Sequence, residues 1–204
     1  MKSVVIIDCG IGNHRSVQNA LTLLNVATTV TSDPTAIAEA DYLILPGVGS
    51  FGEGMDGMRE RNLIEPVTDA VMRKRTPILG ICLGMKMFAT TGLEHGEHRG
   101  LSFIPGTVVK VPTSLRLPHI GWNNVQIIGN HSITKNYDRE PIFYFVHSYH
   151  LVPDDPSVVA GTCDYGAEVV AIVQKGNVMG TQFHPEKSHE DGLQIFRNFL
   201  DIAK

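Results

Sequence analysis

PILGICLGMKMF, residues 77–88, is the stretch that decides how the chain is read. Pro77 to Cys82 is a short apolar run of the kind that forms a buried strand, and a helix-forming run follows without a spacer. The thiol therefore falls on a strand-to-helix corner between Gly80 and Gly84, the small-x-nucleophile-x-small form of a nucleophile elbow. The glycines have a steric reason, because a sharp corner closes only if its neighbours carry no side chains. A thiol held there projects above the sheet at the start of the next helix, where the helix dipole and free N–H groups favour thiolate. The Leu83 N–H is placed to serve as an oxyanion donor. The competing reading makes Cys82 a small buried hydrophobe, the commonest role of a free cysteine.

Upstream, SVVIID, VATTV and DYLILPG read as three strands, and PILGIC is the fourth. Helical patterns cover about residues 13–24 and 55–73, the second with a break near Pro66, and LGMKMFATT is the helix after the fourth strand. This alternation predicts an α/β fold with a parallel sheet covered on both faces and active residues at the carboxyl ends of its strands. Downstream, TVVKV, HIGWNNVQII, PIFYFVHSYHLV, SVVAGTC, EVVAIVQ and NVMGTQF are closely spaced strands with turn residues between them. They read as antiparallel meanders. In HEDGLQIFRNFLDIAK, Leu193, Phe196, Phe199 and Leu200 share one helical face, which is expected to dock on the sheet. No repeat, linker or boundary breaks the pattern, so one domain over residues 1–204 is expected.

Composition narrows the function. With 43% hydrophobic and 19% charged residues, the 204-residue chain can build a packed core. A net charge of −4 without a basic run argues against nucleic acid as a partner. Cys9, Cys82 and Cys163 are few, odd in number and far apart, which suits a reducing cytoplasm rather than a disulfide framework. MKSVVIIDCG reads as a core strand, with too short an apolar run for a signal peptide, and no stretch is long enough to span a membrane. Cys9 has glycine on one side only and reads as structural, as does Cys163 in GTCDYG.

TQFHPEKS, residues 181–188, supplies partners for the thiol. Pro185 biases His184 toward an extended conformation, in which residues two apart share a face. Glu186 can then hold one imidazole nitrogen while the other takes the thiol proton, the nucleophile–base–orienter arrangement of a triad. PGVGSFGEGM contains a literal G-x-G-x-x-G at Gly47, Gly49 and Gly52. The next strand ends in cysteine and not in an acidic residue for a ribose, so a nucleotide cofactor is not expected. Such a loop can instead aim backbone N–H groups at a developing oxyanion, or be an ordinary tight turn. EHGEH, residues 94–98, reads as a solvated surface loop rather than a metal site. For His119, His147 and His150, packing or hydrogen-bonding roles are the default.

Taken together, GICLGM and the distant HPE resemble the class I (triad) glutamine amidotransferases. PGVGSFGEGM, LPHIGWN, YFVHSY and QFHPEKS, in this order, resemble more narrowly the glutaminase subunits of imidazole glycerol phosphate synthase, and the likeness runs from IDCGIGN to the terminal helix. The resemblance implies a three-layer α/β/α fold, with a mostly parallel central sheet and an antiparallel second half. It implies Cys82 as nucleophile toward the side-chain amide of L-glutamine, His184 as base and then acid, and Glu186 as its orienter. Backbone N–H groups of Gly47, Val48 and Leu83 would form the oxyanion hole, and Gly49, Ser148 and Tyr149 would hold the substrate. No cofactor or metal is implied. The partner would be a separate HisF-like cyclase in a heterodimer, and Asn13, Trp122 and Lys187 match positions at or near that interface. In the family the PGVG peptide reorients to complete the oxyanion hole.

Lys86 is the main departure, standing where the family usually has a glutamine that helps hold the substrate. A lysine adds length, a charge and only donors. It can pair with the substrate carboxylate, lower the Cys82 pKa, or weaken glutamine binding. His14, where leucine is common, and Cys9, where tyrosine is common, are milder departures. Two other readings stand beside the first. One is a paralogue feeding ammonia to a sugar amidotransferase in surface-polysaccharide synthesis; the other is a non-catalytic regulatory subunit, against which the intact Cys82, His184 and Glu186 count.

Overall fold

The structure, a computed structural model, describes residues 3–202; Met1, Lys2, Ala203 and Lys204, at the outer ends of the expected first strand and last helix, lie outside it. The first half alternates as expected: β1 (Val4–Ile7), α1 (His14–Leu23), β2 (Thr28–Thr31), α2 (Pro34–Glu39), β3 (Tyr42–Gly47) and α3 (Phe51–Glu60). After α4 (Ile64–Thr68) and a wider π turn come β4 (Ile78–Cys82) and α5 (Leu83–Met87). The helix expected over residues 55–73 starts earlier, because Ser50 caps it reciprocally with Glu53. Its break lies at Asn62, with φ of +53°, and not at Pro66. Pro66 sits in the first turn of α4, where a missing N–H removes no intrahelical bond. The segment expected as a helix over LGMKMFATT is helical only to Met87; the chain then enters a hairpin of β5 (Thr91–Gly92) and β6 (His98–Arg99).

The second half carries β7 (Gly106–Lys110), β8 (His119–Asn124), β9 (Gln126–Ile127), β10 (Ile142–His147), β11 (Tyr149–Pro153), β12 (Val159–Asp164), β13 (Glu168–Lys175), β14 (Val178–Thr181) and α6 (His189–Leu200). The central sheet has the order β2-β1-β3-β4-β14-β13-β12-β9. Its pairs are parallel from β2 to β14 and antiparallel beyond. So β12, β13 and β14 form the expected meander and β9 joins them at the sheet's edge, but β7, β8, β10 and β11 leave the central sheet, which splits HIGWNNVQII between β8 and β9. PIFYFVHSYHLV is two strands and not one. The chain bends at Ser148, whose carbonyl accepts the Val111 N–H, and β10 pairs with β8 while β11 pairs with β7.

Alternation within the strands divides the core. Val5 and Ile7 of β1 and Leu43 and Leu45 of β3 face one layer, where α3, α4 and α5 pack. Val4, Ile6, Tyr42 and Ile44 face the other, where α1 and α6 pack. In α1 the buried residues Val17, Ala20 and Leu21 follow the three–four spacing of a helix face. In α6, Phe196, Phe199 and Leu200 are buried as expected, with Leu193 at the rim of the same cluster. Burial of each large side chain contributes about 1.5–3 kcal/mol, so both helices are held by these faces rather than by propensity. The result is the α/β/α sandwich, with β3 and β4 side by side at its centre.

Candidate active site

Cys82 ends β4 and caps α5 with φ of +54° and ψ of −103°, a conformation that a non-glycine residue holds only when its surroundings impose it. The flanking glycines are what permit it. A Cβ on Gly84 would lie 1.8 Å from the Leu45 carbonyl oxygen, and one on Gly80 would lie 2.6 Å from the Met85 nitrogen. The register of β3 on β4 sets Gly47 opposite Cys82, so the Gly47-Val48-Gly49 loop starts beside the nucleophile. A Cβ on Gly47 would press on Leu83 at 2.9 Å, which puts loop and elbow in contact.

His184 and Glu186 approach from the end of β14. Nδ1 of His184 lies 2.7 Å from Oε1 of Glu186. The pairing is not made along an extended strand: His184 is extended, but Pro185–Lys187 is a 3₁₀ turn that folds the carboxylate back. The turn is locked by its neighbours, with the His184 N–H donating to the Tyr144 carbonyl and the Ser188 hydroxyl donating to the His184 carbonyl. Nε2 of His184 is left without a hydrogen-bond partner, the nitrogen available to the thiol.

Burial opposes charge on Cys82, but its interaction with the neighbouring His184 imidazole, and then the charge of Lys86, outweigh it and lower the thiol pKa. Glu186 acts in the opposite sense. Burial likewise opposes charge on His184, yet its interactions with Cys82 and Glu186 raise it to about 10. The pair therefore favours thiolate and imidazolium. The five-residue α5 adds little, since a dipole builds with length. Cys163, with no such partner, is pushed by burial up to about 12, and Cys9 is raised as well.

The sequence missed two residues around the thiol. Gln182, fully buried, turns its side-chain N–H toward Cys82 Sγ at 3.8 Å. Its alternation with His184 along the strand was the available signal. Glu94 was expected on a solvated surface, but its side chain is only 12% exposed and its Oε2 lies 3.6 Å from Lys86 Nζ. Lys86 is itself buried, so this pair neutralises two charges that could not stand alone there. Ser148 and Tyr149 follow the Val146 carbonyl, which lies 4.0 Å from Cys82 Sγ, so the HSY segment borders the site. His119 and His147 do pack and hydrogen-bond each other, at 3.1 Å, with His119 stacked on Phe145 and Tyr165.

Of the three positions matched to an interface, Trp122 is half exposed on β8, beside exposed Ile120. It stacks on His189 and meets Tyr144 edge-on, and Lys187 Nζ lies over the Tyr144 ring, 5.9 Å from its centroid. Asn13 caps α1 by accepting the Ser16 N–H.

A thiol, an imidazole and a carboxylate in series beside glycine-loop N–H groups can carry out acyl transfer from an amide. The family model of glutamine amidotransferase class-I matches residues 5–203. A solved structure described as a glutamine amidotransferase superposes with a TM-score of 0.77 at 19% identity, covering 97% of each chain. A second solved structure, described as that of PurLQS from Thermotoga maritima, gives 0.76 at 19% identity over 98% of each. Among curated relatives, the imidazole glycerol phosphate synthase subunit HisH of Syntrophotalea carbinolica is 46% identical over 98% of this chain and 100% of its own. HisH of Rhodopirellula baltica is 46% identical over 96% of each, and that of Moorella thermoacetica 40% over 100% of this chain and 97% of its own. The chain belongs to the class-I glutamine amidotransferases and, within them, to the HisH subunits of imidazole glycerol phosphate synthase. Among the described residues no helix is long and apolar enough to cross a membrane.

Proposed function

We propose that this chain, as one glutaminase domain, hydrolyses L-glutamine and delivers the ammonia to a separate HisF-like cyclase for histidine biosynthesis in the cytoplasm. The observation that carries the reading is the elbow thiol of Cys82 beside the buried His184–Glu186 pair. The names of the relatives support the pathway.

In this reading Cys82 Sγ attacks the side-chain amide carbon of glutamine, and His184 takes the thiol proton. Glu186 keeps the imidazole in the orientation and tautomer that leave Nε2 facing the thiol. The oxyanion is met by N–H groups of Gly47, Val48 and Leu83. His184 then gives its proton to the leaving nitrogen, ammonia departs, and a glutamyl thioester remains. Water, deprotonated by His184, attacks the thioester; glutamate leaves and the thiol is restored. Gly49, Ser148 and Tyr149 hold the amino-acid end of the substrate, and Lys86, at the position where the family's glutamine helps hold it, is near enough for its charge to act on the Cys82 thiol. Asn13, Trp122 and Lys187 face the cyclase, whose closure keeps the ammonia dry.

The test mixes the chain with the histidine-pathway cyclase of the same source and follows glutamate release from glutamine. It is run with and without the cyclase's phosphoribulosyl-formimino aminoimidazole nucleotide, with Cys82→Ala alongside. Stimulation by the nucleotide, abolished in Cys82→Ala, is the expected result. Release that persists in Cys82→Ala refutes the mechanism, and release that ignores the cyclase refutes the pathway.

A further inference from the structure

Lys86 and Glu94 form a buried ion pair to which the chemistry above gives no step. Lys86 Nζ lies 3.6 Å from Glu94 Oε2, and the two side chains are 5% and 12% exposed. Lys86 belongs to α5, the helix that begins at the nucleophile. Glu94 lies in the turn of the β5–β6 hairpin. The same Oε2 accepts the N–H of Phe51 at 3.0 Å. Phe51 is the first residue of α3, and only Ser50 separates it from the Gly47-Val48-Gly49 loop. One carboxylate oxygen thus joins the nucleophile's helix to the end of the oxyanion loop.

The hairpin grips that point by shape as well as by charge. A Cβ on Gly92 would lie 2.4 Å from the Phe51 ring, and one on Gly52 would lie 2.8 Å from the His98 ring. The start of α3 is therefore seated on the hairpin, while Lys86 is the cation that balances the hairpin's buried carboxylate. An ion pair this far from water is a poor source of stability, because desolvation offsets most of its attraction. It does hold a geometry, since each charge is strongly unfavourable without the other.

We propose that Lys86 is a positioning residue which, through Glu94, clamps the nucleophile's helix to the glycine loop and holds the spacing between thiol and oxyanion donors. The proposal rests on the functional reading of Cys82 and that loop given above. A misplacement of about 1 Å in such a site lowers turnover by about a hundredfold, so a modest slackening of the clamp is visible in kcat.

A double-mutant cycle tests it. Lys86→Met leaves the Glu94 carboxylate buried without its cation, and Glu94→Gln leaves the ammonium without its anion. The double variant removes both charges, while the glutamine oxygen still accepts the Phe51 N–H. With the cyclase and its nucleotide present, each single variant is expected to lose about tenfold in kcat, with KM changed much less. The double variant is expected to lose no more than the worse single one. Lys86→Gln, which loses the charge but keeps a side-chain N–H donor, serves if Lys86→Met does not fold.

A second readout is the pH profile of Cys82 alkylation by iodoacetamide, which a purely structural residue would not move. The groups that act on this thiol are His184 and Glu186 from the turn after β14 and Lys86 from α5, and Lys86 also acts on His147 at the end of β10. Loss of the Lys86 cation moves the thiol's titration to higher pH, and loss of the Glu94 anion does not. Additive kcat losses, or lowered thermal stability with unchanged kcat and an unmoved alkylation profile, overturn the clamp. Cys82→Ala separates the two levels. If it still releases glutamate, the functional reading fails; if it is dead while the cycle is additive, only the clamp fails. Should no condition release glutamate, the functional reading fails, and an alkylation profile unmoved in Lys86→Met refutes the clamp by itself.

Discussion

Nδ1 of His184 lies 2.7 Å from Oε1 of Glu186, with both side chains almost wholly buried. A carboxylate in that position fixes the tautomer of the imidazole and stabilises its charged form. Glu186→Gln keeps the shape and removes the charge. Its kcat for glutamate release is expected to fall about a hundredfold or more, with a smaller change in KM. Turnover within a few-fold of wild type would show that Glu186 is not the orienter.

The three cysteines should react in a set order. Because the Cys82 thiol is lowered and those of Cys9 and Cys163 are raised, Cys82 carries a larger thiolate fraction than either of the others at any given pH. Limited treatment with iodoacetamide at about pH 7, read by peptide mass spectrometry, should label Cys82 first. Prior labelling of Cys163 in the folded protein would contradict the site's electrostatics.

The buried histidines make the fold sensitive to acid. Burial holds His119 at about 4 and His147 at about 3, against an ordinary value of 6.5. Below about pH 6.5 the unfolded chain therefore binds protons that the folded chain refuses, and stability falls as pH falls. Each group contributes a loss of up to about 1.4 kcal/mol per pH unit until its folded pKa is reached. In urea titrations at pH 7.5 and about 5, His147→Gln should lose less stability on acidification than wild type, by about 1–2 kcal/mol. Equal losses would remove His147 from this account.

Gly84 is expected to be irreplaceable. In Gly84→Ala the new methyl meets the Leu45 carbonyl at 1.8 Å, and neither backbone can move without opening the β3–β4 register. The variant should lose about 2 kcal/mol or more of stability, measured by its urea midpoint. An unchanged midpoint would mean that the corner is looser than described.

Trp122 is the expected anchor of the partner face. It is half exposed, yet held rigid by His189 and Tyr144. Large rigid aromatic residues of this kind dominate binding energy, so Trp122→Ala should weaken cyclase binding by about 2 kcal/mol, or some thirtyfold in Kd. A titration with unaltered Kd would move the interface elsewhere.

Cys82, His184 and Glu186 were legible because each announces itself locally. Glycines two residues before and after a cysteine have a steric purpose that needs no knowledge of the fold. Pro185 restricts His184 directly, although the turn that follows it, rather than an extended strand, brings Glu186 into place. Glu94 was illegible for the opposite reason. In EHGEH it stands among polar and glycine residues, and only the packing of the hairpin on α3 takes it out of water.

What the sequence alone determined is what short-range chemistry controls: strand and helix alternation in the first half, the elbow, the faces of α1 and α6, and the residue types of the site. Tertiary structure alone decided which late strands join the central sheet, where PIFYFVHSYHLV divides, and which charge Lys86 meets. Strand pairing and burial depend on partners far along the chain, and an apolar run or a lysine carries no record of the surface it will be pressed against.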